Sequence, residues 1–187
     1  MTTALPALND LGRTLTSVTR LTAGIGEDQW TWDTPCTEWN VHALLNHLHT
    51  GNLSFAAQLR GEPAPQGGVN HLGTDPHGAF LAGANDLLES FALPGVLDAM
   101  HESPMGPAPG SFLLQLRVGE TFVHGWDLAR ATSQPADLPA DLAEALLGSF
   151  QKRLAAMHGR GPFGPVQPAA DDAPAMDRLA ALLGRRP

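Results

Sequence analysis

A single cysteine, Cys36, among 187 residues leaves no partner for an intramolecular disulfide. Long apolar runs are missing as well: none approaches the roughly 18 residues of a membrane span. The opening Met1-Thr2-Thr3-Ala4-Leu5-Pro6 has neither the basic start nor the apolar centre of a secretion signal, so a cytoplasmic location is expected. Basic residues are scarce: 11 Lys and Arg stand against 19 Asp and Glu, a formal net charge of −8. Nucleic acid and anionic membrane both require a concentrated positive patch, so neither partner is expected. Convincing period-two alternation is absent, and so are a glycine-rich phosphate loop, a nucleophile elbow and a CxxC pair.

What is present is an ordinary globular composition, 43% hydrophobic and 16% charged. The 20 glycines and 16 prolines cluster between apolar periodic stretches, which argues against disorder. The length suits one well-buried core, so residues 1–187 are expected to form a single domain.

Apolar steps of three and four at Leu8, Leu11, Leu15, Val18 and Leu21 predict a first helix from Leu5 to about Ile25. Asp28 to Glu38, with Trp30 and Trp32 and leading to Trp39, reads as an ordered loop whose indoles either lid the core or wall a pocket. A second helix starts near Asn40, a good N-cap, and stops at Gly61. Asp75-Pro76 opens a third helix reaching about Leu93. The proline-rich stretch 94–110 predicts a crossover loop with a short helical turn near Val96 to His101. A fourth helix spans Ser111 to Thr132, a fifth runs from Leu138 to about Met157, and a short last one follows Asp172-Ala173-Pro174 and ends at Gly184. The expected architecture is all-α, a four-helix bundle with an additional C-terminal helix.

The chemistry concentrates in helix four. Glu120 and His124 are four apart and Asp127 follows three later, so all three side chains leave one face. A carboxylate and an imidazole so spaced can share a divalent cation if another element adds a third ligand. The plain alternative is an exposed polar edge with an intrahelical Glu120–His124 pair, since this spacing arises easily by chance. Helix two offers His42, His47 and His49, with His42 and His49 on one flank of its apolar stripe and His47 on the other. Periodicity does not select the ligand among them, and it slightly disfavours His47. Cys36 precedes helix two and is either a thiolate activated by the helix N-terminus or an inert buried thiol. Asp127 either orients His124 or pairs with Arg130 on the surface. Asn52 either faces the site or is a plain polar helix residue.

Three stretches carry a resemblance. Thr34-Pro35-Cys36-Thr37-Glu38-Trp39-Asn40-Val41-His42-Ala43-Leu44-Leu45-Asn46-His47-Leu48 is similar to the entry of helix two in the DinB-like, mycothiol-dependent maleylpyruvate isomerase N-terminal domain superfamily. Gly119-Glu120-Thr121-Phe122-Val123-His124-Gly125-Trp126-Asp127 resembles its fourth helix, and the tail from Phe163 to Arg185 resembles a stand-alone actinobacterial-type branch. The resemblance implies a four-helix bundle holding one divalent ion on His47, Glu120 and His124. It therefore selects His47, and helical geometry then turns His49 away from the site. Zinc suits two imidazoles and a carboxylate best, and nickel, iron and manganese accept the same donors.

By the same resemblance, the expected function is a metal-dependent enzyme that activates a low-molecular-weight thiol, such as mycothiol or bacillithiol, or water. The activated group is transferred to a small electrophilic substrate, or used to isomerise it. The alternative is a metal-containing protein of this fold that binds a small molecule without reaction. The superfamily's isomerases carry a further domain that completes the active site. Only a fifth helix and a tail follow helix four here, so isomerisation of maleylpyruvate itself is not expected. The partners expected are a small substrate and a thiol, with a homodimer as the compatible assembly. The 28–39 segment and the 94–110 loop are the expected walls of the pocket.

Overall fold

The computed structural model describes residues 7–103, 106–156 and 163–187. Among the described residues, six α-helices carry the fold. The first, α1 (Leu8–Ala23), starts from an extended Ala7 whose backbone N–H donates to the Asp10 carboxylate at 2.9 Å. The expected start at Leu5 lies outside the described residues. Asn40 caps α2 (Val41–Arg60), its Oδ1 accepting from the Ala43 N–H at 2.9 Å, and Gly61 ends it in the left-handed region at φ 69°. Asp75 caps α3 (Pro76–Phe91) in the same way, with Pro76 in the first turn where its missing N–H costs nothing. The remaining helices are α4 (Gly110–Ala131), α5 (Ala140–Ala156) and α6 (Ala175–Leu182). Met157, the expected end of the fifth helix, lies outside the described residues.

The first four helices form a bundle in which α1 touches α3 and α4, and α2 touches the same two. Consecutive helices α1 and α2 therefore occupy opposite corners, as do α3 and α4. The α1–α2 and α3–α4 connections are therefore diagonal and must cross the end of the bundle, whereas residues 61–75 join the adjacent α2 and α3. The helix pairs interdigitate through Leu11, Leu15, Leu45, Leu48, Phe80 and Phe122, all essentially without solvent exposure. Each such side chain contributes about 1.5–3 kcal/mol through burial. Gly125 lets α4 approach α1 closely, since a Cβ there would lie 2.7 Å from a Val18 methyl. Beyond the bundle, α5 and α6 pack on each other, and the Trp126 indole of α4 donates to Asp177 of α6 at 2.8 Å.

One expectation needs correction. Residues 94–98 do turn, with the Ala99 N–H donating to the Gly95 carbonyl at 3.0 Å, but no helix reaches His101. Met100–His101 (β1) instead pairs antiparallel with Ala108–Pro109 (β2). Pro107 and Pro109 cannot continue a helical ladder, and a two-residue strand is too short to show alternation in a sequence. This ribbon adds no layer, so the fold is all-α and DinB-like. Among the described residues no helix is long and apolar enough to cross a membrane.

Candidate metal centre

Packing of α2 against α4 brings His47, Glu120 and His124 together, with one ligand atom from each within 4.8 Å of the others. His47 Nε2 lies 2.8 Å from Glu120 Oε1. The imidazoles of His47 and His124 stand edge to face, their centroids 5.3 Å apart. Trp39, at the entrance to α2, stacks on His47 at 4.3 Å and presents an edge to His124. All three candidate ligands are partly exposed, so a small molecule can reach them.

The far side of each α4 residue is pinned. Glu120 Oε2 accepts from Arg117 Nη1 at 2.8 Å. That guanidinium is fully buried, donating also to the Leu48 carbonyl at 2.6 Å and to Asn52 Oδ1 at 2.7 and 3.1 Å. Gly51 makes room for it, because a Cβ there would come within 2.5 Å of Arg117 Nη1. Asn52 is buried, its oxygen used by Arg117, while among the described residues its amide nitrogen has no hydrogen-bond partner. Burial works to raise the Glu120 carboxyl, but the Arg117 charge and then the His47 hydrogen bond overcome it and hold it at about 2. Glu120 is thus ionised, as a metal ligand must be.

His124 is oriented in parallel fashion. Its Nδ1 lies 2.9 Å from Asp127 Oδ2, which places the proton on Nδ1 and leaves the Nε2 lone pair free. Asp127 is fully buried and receives Arg185 Nη2 at 2.9 Å and Nε at 3.2 Å. The surface alternative with Arg130 is therefore overturned: Arg130 lies over the Trp126 ring, and the cation on Asp127 comes from the C-terminal tail. Arg117, Glu120, His124 and Asp127 follow a 3-4-3 spacing, one polar stripe along α4. The stripe begins three residues before the Glu120 motif, a signal present in the sequence. Arg185 had none, being joined to Asp127 only by tertiary folding.

The other histidines stand elsewhere. His49 is buried against α3, where a Cβ on Gly83 would lie 2.7 Å from its Nδ1; burial first, then the neighbouring His71, lowers its pKa. His42 faces Trp30, His71 the Gln66 carbonyl, His77 the Thr22 hydroxyl and His101 the Val96 carbonyl. His158 lies outside the described residues. Cys36 is half-buried near His124 and Asp127, and its thiol is pushed up by burial and by Asp127 rather than activated. It is not at the helix terminus, since Asn40 occupies the cap.

A cavity of about 540 Å³ opens beside the cluster. Glu120, His124 and Trp39 line it, and Phe55, Leu116, Val123, Phe150, Leu154 and Phe163 supply apolar wall. Of the three early indoles, Trp39 is the one that lines it, while Trp30 packs on the core and Trp32 is 41% exposed. Among the described residues none of 94–110 contributes to the wall, contrary to expectation; α5 and Phe163 do instead. The described residues of the α3–α4 connection form their own ribbon, Met100–His101 with Ala108–Pro109, and line no part of this cavity.

Fold and cluster together define a helical bundle with a potential divalent-ion site between its second and fourth helices. The profile of the mycothiol maleylpyruvate isomerase N-terminal domain matches residues 11–129, and the chain belongs to that family. The family is associated with mycothiol-related, metal-dependent enzymes. The chain is 35% identical over 171 residues to an uncharacterised protein of Mycobacterium tuberculosis strain CDC 1551 / Oshkosh, and equally to one of strain ATCC 25618 / H37Rv. Each alignment covers 88% of this chain and 90% of the relative. No solved structure matches it.

Proposed function

We propose that this protein is a metal-dependent enzyme that activates a low-molecular-weight thiol of the mycothiol type, or water, and transfers it to a small electrophile or uses it to isomerise one. The convergence of two imidazoles and an ionised carboxylate, with Glu120 and His124 also lining a mostly apolar cavity, carries this reading. His47, Glu120 and His124 would hold one divalent ion, zinc by preference for such donors. The donor set fits: His47 and Glu120 already approach to 2.8 Å, and His124 keeps a lone pair free because Asp127 holds its other nitrogen. Three protein ligands leave coordination open for a reactant, as a catalytic site requires. The ion, when bound, lowers the pKa of a coordinated thiol or water toward neutrality.

The protein's own residues do the rest. Arg117 keeps Glu120 ionised and fixed, and Asp127 fixes the tautomer and direction of His124. Trp39 and the apolar wall give the body of a small apolar reactant a surface beside the reacting group. The test is conjugation of monochlorobimane to mycothiol, bacillithiol or glutathione by metal-loaded protein, with metal content measured alongside. The expected result is about one ion per chain and a thiol-dependent rate, both lost in His47→Ala and His124→Ala. Metal retained in both variants sinks the ligand assignment. Metal present with no rate for any thiol, and tight binding of a small molecule, favours the non-catalytic binder.

A further inference from the structure

The cavity is not uniformly apolar, and its charges can be accounted for one by one. Four charged side chains line it: Glu38, Glu120, Arg153 and Arg185. Glu120 is satisfied by Arg117 and His47. Arg185 is spent on Asp127 through Nε and Nη2 and on the Leu183 carbonyl through Nη1. Glu38, at the entry of α2 beside Cys36 and Trp39, is exposed and among the described residues has no ion pair or hydrogen bond, so it is the free anion of the lining. Arg153 is the free cation. It projects from α5 with Phe150 and Leu154, exposed, and among the described residues it has no ion pair or hydrogen bond.

The wall that presents Arg153 also lies beyond the family's matched segment. The candidate ligands come from α2 and α4, within residues 11–129, whereas Phe150, Arg153, Leu154 and Phe163 all follow that segment. Phe150 and Phe163 meet edge to face at 5.8 Å, making a flat-sided aromatic surface next to the free guanidinium. Gly119 lets α5 come this close, since a Cβ there would lie 3.3 Å from the Phe150 ring. An aromatic wall selects a flat or aliphatic body, and a guanidinium with open donors selects a carboxylate.

We infer that Arg153 is a specificity residue and that the electrophilic substrate is an apolar, ring-sized acid, its carboxylate at Arg153 and its body against Phe150 and Phe163. This rests on the proposed function for which residues of the cavity are reactive, but the recognition itself does not require an ion. The carboxylate is the only charge such a substrate offers, so Arg153 sets which way round it enters.

Two matched probes test this by calorimetry: 4-phenylbutyrate and its neutral isostere 4-phenylbutan-1-ol. Wild type is expected to bind the acid about tenfold more tightly, the gain of one partly exposed charged hydrogen bond. Arg153→Leu should reduce that preference to near one while leaving the alcohol's affinity unchanged, and Arg153→Lys should keep most of it. A competing carboxylate site at the ion is separated by repeating the titrations with chelator-treated wild type and with His124→Ala. A preference that survives both treatments and vanishes in Arg153→Leu supports the assignment. No preference in wild type, a preference retained in Arg153→Leu, or one abolished by chelation overturns it, as does failure of both probes to bind. Metal content is read on the same samples, so a wild type without metal that still prefers the acid refutes the metal reading and leaves Arg153 standing.

Discussion

Asn52→Ala is the most demanding test of how this site is built. Asn52 sits without solvent exposure in the middle of α2 and gives its Oδ1 to two N–H groups of Arg117, at 2.7 and 3.1 Å. Removing that oxygen leaves a fully buried guanidinium with only the Leu48 carbonyl and Glu120. Hydrogen bonds to charged groups contribute about 1.5–3 kcal/mol each, and breaking a buried ionic network costs roughly 3–5 kcal/mol. Since two contacts of the network survive, the expected loss is about 3 kcal/mol. For a domain of this size that corresponds to a fall in Tm of roughly 6–12 °C. Circular dichroism followed through thermal and urea unfolding reads it, provided both transitions are two-state. The double variant Asn52→Ala/Arg117→Met should be less destabilised than the sum of its singles, because Arg117→Met removes the charge that Asn52 serves. A loss below about 1 kcal/mol, or strict additivity, would falsify the claim that Asn52 is retained for Arg117.

Other perturbations probe the rest of the molecule. Asp127→Asn withdraws the charge that orients His124 and pairs with Arg185, and competition with a chromogenic chelator should show roughly tenfold or greater weakening of metal affinity; unchanged affinity removes Asp127 from the site. Gly83→Ala drives a methyl into the His49 ring, 2.7 Å from the built Cβ, and should destabilise by about 1–3 kcal/mol in urea unfolding without altering metal content. Removing metal with a chelator should lower Tm yet leave the helical signal intact, because the bundle buries its core independently of the site; complete unfolding contradicts this. The surface Asp141 carboxyl, held at about 2 chiefly by its hydrogen bond from Arg13, has a folded pKa below its ordinary 3.8. Its stabilisation is present above the ordinary value and lost as pH falls toward 2, so the small stability gap between wild type and Asp141→Asn should close over that window and stay constant at higher pH.

The helices were legible because their signals are local. Apolar spacing, Asn40 and Asp75 as caps, and Gly61 as a stop depend on residues within a turn of one another, and α1 to α6 follow them closely. The ribbon of β1 and β2 was not legible, since two residues hold no period and the pairing is made across the connection. The same division runs through the site. Glu120 and His124 are neighbours on one helix and visible as a pair, whereas spacing alone could not choose among His42, His47 and His49. The bundle sends the three rings in different directions: His42 to Trp30, His49 to Gly83, and His47 to Glu120.

The sequence by itself thus determined an all-α chain, its caps and stops, and a helix four carrying a carboxylate and an imidazole on one face. Composition and charge set those limits without reference to any contact. Only the tertiary structure decided what each polar group does. Crossing of α2 over α4 buries Arg117 beneath Glu120 and supplies Asn52 as its acceptor. Return of the C-terminal tail delivers Arg185 to Asp127 across 58 residues, and α5, rather than the expected 94–110 loop, closes the cavity. The physical reason is that local order is governed by backbone hydrogen bonds and side-chain period. The partner of a buried charge is set by whatever the fold brings within hydrogen-bonding distance once water has been excluded.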